Sequence, residues 1–89
     1  MSNRTLTARI RDVLVDVRSG TQNAKQAAVV LSGAGQSLEG MPYNLVKERD
    51  SIVMDLEIAQ WYDDDDCVPN LKSVLDRAER WLREVPLNV

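Results

Sequence analysis

Apolar positions recur at helical spacing along most of the chain. Leu6, Ile10, Val13, Leu14 and Val17 follow at steps of four, three, one and three, which places them on one face of a helix. Thr5 stands where an N-cap is expected, and Ser19-Gly20 supplies a stop, because glycine takes the left-handed conformation at little cost. Val13 to Val17 also alternates apolar and polar, so a strand is the rival reading of that stretch; the longer spacing favours helix. Thr21 is positioned to cap a second helix, in which Ala24, Ala27, Ala28 and Leu31 form a narrow stripe of mostly small side chains. Its expected end is Ser32-Gly33-Ala34-Gly35. The connection between these two helices is so short that an antiparallel hairpin is expected.

The stretch 33–42, GAGQSLEGMP, reads as the one long loop. Its three glycines match neither GxGxxG nor GxxxxGK[ST], and no strand clearly precedes them, so a connector is expected and not a phosphate cradle. Pro42 suits the first position of a third helix, where its missing N–H costs nothing. That helix is expected to run to about Tyr62. Leu45, Arg49, Ile52, Leu56 and Ala59 form one stripe, widened by Val46 and Val53; Met54, Ile58 and Trp61 form a second. Two stripes predict contact with more than one neighbour and hence a central position. Glu48, Asp55 and Glu57 occupy what remains of its surface.

Pro69 disfavours helical geometry at Val68, and Asn70 then caps a final helix. There Leu71, Val74, Leu75, Ala78, Trp81, Leu82 and Val85 give the cleanest amphipathic pattern in the chain, ended by Pro86. Asp76 with Arg80 and Glu79 with Arg83 are expected as outward i, i+4 ion pairs. The fold predicted is all-α: a compact antiparallel four-helix bundle forming a single domain over residues 1–89. Trp81 is assigned to its core.

Composition agrees with that picture. Apolar residues make up 44% of 89, and with no Phe the core must be chiefly aliphatic. A chain of this size buries about 60% of its unfolded surface, for a net stability of roughly 4 to 13 kcal/mol. The lone Cys67 allows no internal disulfide, which fits a reducing compartment. The opening MSNRTLTARIRDVL lacks the apolar run of a secretion signal, and no run is long enough to span a bilayer, so a cytoplasmic location is expected.

Charge is uneven. Residues 1–40 carry five basic and three acidic groups, a net +2; residues 41–89 carry six and eleven, a net −5. Between Glu48 and Asp66 eight carboxylates face only Arg49. Such a face repels nucleic acid and attracts basic surfaces. With no histidine, Ser-His, Cys-His and His-metal arrangements cannot be assembled, and one cysteine makes no zinc site. No enzymatic activity, cofactor or metal is expected. The Asp63–Asp66 run lacks the alternating ligands and the glycine of a calcium loop, and its charge should hold the neighbouring Cys67 as an idle thiol.

That run, in Trp61-Tyr62-Asp63-Asp64-Asp65-Asp66, is the most distinctive feature of the chain. Mutual repulsion of about 2 kcal/mol keeps it at the surface. Consecutive helical residues point about 100° apart, so at most one of Trp61 and Tyr62 lies fully inside and the other flanks the carboxylates. With Glu57 they make up the expected partner-binding set, an aromatic anchor with a charged rim. A solubilising charged turn after a core tryptophan is the other reading of the same residues.

The layout resembles the colicin D immunity protein-like family of small bacterial immunity proteins. It shares an amphipathic helix, the Ser19-Gly20 turn, a short second helix, a long helix ending in Trp61-Tyr62 and carboxylates, and an acidic-basic final helix. The resemblance implies a compact helical inhibitor that blocks an RNA-cleaving toxin by presenting carboxylates to its basic active site. The partner would then be a protein with a basic surface, with neither nucleic acid nor membrane involved, and the inhibitor would be a monomer rather than a dimer. The alternative is a helical interaction module, an adaptor or subunit that packs an exposed helix face on another protein or on its own copy.

Overall fold

A computed structural model describes residues 2–61 and 70–87, with Gln60 and Trp61 described by their backbone alone. Four helices follow in order: α1 (Asn3–Ser19), α2 (Ala24–Gln36), α3 (Tyr43–Trp61) and α4 (Leu71–Glu84). They form the compact antiparallel four-helix bundle expected, and no strand occurs among the described residues. Val13–Val17 is helical. The helices pack in a ring: α1 on α2 and α4, and α3 on α2 and α4. Leu6, Ile10, Leu14, Leu31, Ile52, Leu56, Val74 and Trp81 fill the centre. The expected core stripes of α1, α2 and α4 all turn inward, with Leu71 only partly covered.

The caps correct several expectations. α1 starts one turn earlier than expected, with Ser2 as its N-cap and not Thr5; the Ser2 hydroxyl accepts from the Thr5 backbone N–H at 3.2 Å. The cap lies upstream because Asn3 is itself buried and Thr7 covered, so the inward face begins before the first apolar residue. Gly20 ends the helix as expected, at φ +84. Thr21 does not cap α2. Its N–H and hydroxyl both donate to the Asp16 carbonyl, closing α1, and Asn23 caps α2 by accepting from Gln26 at 2.8 Å.

α2 also runs through Gly33-Ala34-Gly35 to Gln36, so the loop is 37–42 and not 33–42. Glycine acts here as packing space rather than as a stop. A Cβ at Gly35 would lie 2.5 Å from Arg49 Cδ, and Arg49 Nη1 donates to the Gly35 carbonyl at 3.0 Å. Gly33 meets nothing within 4 Å. The two sites should therefore respond oppositely. Gly33→Ala should stabilise by about 0.4 to 1 kcal/mol, since alanine loses less chain entropy in a helix. Gly35→Ala should destabilise, because the Arg49 side chain is largely buried and held. Urea midpoints that moved in the same direction would contradict this packing.

Pro42 is the residue before α3 and not its first; its carbonyl accepts from Leu45 and Val46. The larger correction concerns position. α3 has two main neighbours, as every other helix does, and is not central. Leu45, Ile52, Leu56 and Ala59, with Val53 partly covered, serve both contacts. Two residues of the second stripe are left outside: Met54 is 61% exposed and Ile58 38%. At α4, Asn70 caps the helix as expected, accepting from Lys72 and Ser73. No helix among the described residues is long and apolar enough to cross a membrane.

Candidate functional site: the outward face of helix α3

Each residue of a helix advances about 100°, so Tyr43, Lys47, Asp50, Met54, Glu57 and Ile58 fall on one side of α3, opposite Leu45, Ile52, Leu56 and Ala59. At its start Lys47 Nζ lies 5.6 Å from the centre of the Tyr43 ring, an exposed cation–π contact. Its second half changes character: Asp50, Met54, Glu57 and Ile58 put two carboxylates beside two exposed apolar side chains.

The carboxylates of α3 that face its neighbours, and two of α4, are already engaged. Arg77 of α4 meets Asp55 at 2.8 Å and Glu48 at 3.3 Å. The Glu48 contact is one of charge alone, since Arg77 Nε has no partner in hydrogen-bonding geometry. Asp50 pairs with its neighbour Arg49 at 3.1 Å. Asp76 and Glu79 do not form the i, i+4 pairs expected with Arg80 and Arg83. Both are drawn across the groove to Arg18 of α1, whose Nε donates to Glu79 Oε1 at 2.9 Å and whose Nη2 donates to Glu79 Oε2 and to Asp76. The hydrogen bonds that Arg18 donates to Glu79 and then to Asp76 raise its pKa above the ordinary value. A planar fork held by two carboxylates explains the preference, since a pair within one exposed helix gains only a few tenths of a kcal/mol.

Glu57 is thus exposed with no ion pair among the described residues. Of the other expected binding residues, Trp61 is the last residue of α3, described by its backbone. Tyr62, Asp63, Asp64, Asp65 and Asp66, with Cys67, lie outside the described residues. Met54 and Ile58 were not among the expected binding residues. The signal for them was present, since a ring of four helices gives α3 only two neighbours and one widened stripe already serves both. Among the described residues no group of three or more potential ligands could hold a metal ion. Comparison with protein-family models, curated proteins and solved structures gives no match to this chain.

Proposed function

We propose that this protein is a small cytoplasmic inhibitor of the immunity type, which binds a basic toxin and performs no catalysis of its own. The observation that carries the reading is the second half of the α3 outward face. Met54 and Ile58 lie exposed there beside the unpaired Glu57, on the helix that leads in sequence into Trp61-Tyr62 and the four aspartates. Apolar side chains rimmed by carboxylates suit a protein surface rich in Lys and Arg. Carboxylates steer such a partner and compete for groups that would otherwise hold phosphates, while the apolar pair holds it once docked. An RNA-cleaving toxin is the specific partner that the immunity resemblance implies.

The test is association with the protein that co-purifies from the native host, measured at low salt and at ~0.15 M, where screening acts over about 8 Å. Changing Asp63 to Asp66 to asparagine should slow association at low salt, and the difference should narrow at the higher salt. Met54→Asp with Ile58→Asp should instead speed dissociation. Equal rates for all three proteins would remove this face from the site.

The same exposed Met54 and Ile58 favour a second reading, an interaction module that pairs with its own copy through α3. Sedimentation separates the two. A wild-type monomer supports the inhibitor, whereas a dimer that the Met54→Asp, Ile58→Asp variant dissolves supports the module.

A further inference from the structure

On the opposite side of the ring, α1 and α4 form a groove with its own chemistry. Arg11 and Val15 of α1 and Leu82 and Arg83 of α4 line a cleft of about 270 Å³, with Glu79 at its edge. Val15 is 53% exposed although it lies between the inward-facing Val13 and Val17. Neither Arg11 nor Arg83 has an ion-pair or hydrogen-bond partner among the described residues, although acidic groups stand close by in sequence at Asp12 and Glu84. Glu79 is turned away from them, both its oxygens accepting from Arg18, and the two guanidiniums outnumber this one carboxylate of the lining. The groove is therefore apolar at its floor and cationic at its walls, in a protein whose net charge is −3.

We propose that this groove docks an acidic segment of a second protein. An aliphatic side chain of that segment enters between Val15 and Leu82, and its carboxylates pair with Arg11 and Arg83. Charge complementarity selects the occupant. Nucleic acid also carries negative charge, but the net negative protein repels a long polyanion, and the cleft offers no aromatic surface on which a base could stack. A segment with only a few carboxylates meets the two guanidiniums locally, where they outweigh the distant acidic face. The protein would then be two-faced, with α3 turned to a basic partner and the α1–α4 groove to an acidic one. The groove shares no residue with the α3 face, so each can fail without the other.

The probe is a dye-labelled peptide repeating Leu-Leu-Glu-Glu, titrated against the intact protein at low ionic strength. Saturable binding is expected. Arg11→Gln with Arg83→Gln should weaken it about tenfold, the sum of two exposed charge contacts. Val15→Glu should weaken it at least as much, by filling the cleft with like charge. Arg9→Gln with Lys25→Gln removes the same charge from the α1–α2 side and should change binding by about twofold or less. Circular dichroism of each variant confirms that the bundle is intact. Absence of saturation, an equal loss in the Arg9, Lys25 variant, or equal binding of a Ser-Ser-Glu-Glu peptide would overturn the proposal. So would a single-stranded RNA oligonucleotide that bound the groove more tightly than the peptide.

Discussion

Trp81→Ala should destabilise the protein by about 3 to 5 kcal/mol, the usual result of emptying a buried aromatic site. The ring is 1% exposed and is the largest fully buried side chain of the core. It does more than fill space. Its Nε1–H donates to the Leu45 carbonyl at 2.8 Å, fastening α4 to the first turns of α3. A bundle of this size has roughly 4 to 13 kcal/mol of stability in total, so the loss is a large part of the whole. Urea unfolding followed by circular dichroism should show a lower midpoint with an unchanged slope. Trp81→Phe separates the two contributions. It keeps most of the packing but leaves the Leu45 carbonyl without that donor, and should cost less than the alanine change. A shift under about 1 kcal/mol for Trp81→Ala would mean that the ring is not in the core.

What could be read from the sequence, and what could not, follows from the range over which each signal acts. The heptad-like spacing from Leu71 to Val85 placed Trp81 inside because one helix face needs only local periodicity to be recognised. The same reasoning misplaced Met54 and Ile58. Periodicity reports that a face is apolar, not that a neighbour exists to cover it, and the ring of four helices supplies none there. Caps failed for a related reason. Thr5 and Thr21 are chemically able to cap, but Ser2 and Asn23 hold the positions from which the right N–H groups can be reached. Gly33 and Gly35 were read as a stop, yet tertiary contact with Arg49 keeps Gly35 inside α2. The ion pairs were the least legible. Arg18 and Glu79 are 61 positions apart, and nothing local in the sequence brings them together. Of the expected partner-binding residues only Glu57 is fully described, and its lack of an ion pair among the described residues became visible only once Arg77 was seen to claim Glu48 and Asp55 on the same helix.

Asn3 carries the second large expected effect, at a position where the hydrophobic pattern is silent. Its side chain is 2% exposed and joins three separated parts of the chain. Nδ2 donates to the Glu39 carbonyl at 2.8 Å and to the Pro86 carbonyl at 2.7 Å, and Oδ1 accepts from the Glu39 N–H at 2.8 Å. One amide thus ties the start of α1, the α2–α3 loop and the segment after α4 at a single end of the bundle. Asn3→Ala removes all three bonds, at about 0.5 to 1.5 kcal/mol each, for a loss of roughly 2 to 4 kcal/mol. Asn3→Asp is the sharper test. A carboxylate can still accept from Glu39 N–H, but it cannot donate, and it would face two carbonyl oxygens in a site closed to water. Burial and those oxygens favour its neutral form, so its pKa is raised in the folded state above the ~3.9 of the unfolded chain. Stability contributed by the neutral acid is present below the unfolded value and is lost as pH rises through the folded one. The Asp variant should therefore approach wild type in acid and fall further behind it toward neutrality, with both proteins measured at each pH. A deficit that stayed constant with pH would show that the side chain at position 3 does not point into the junction.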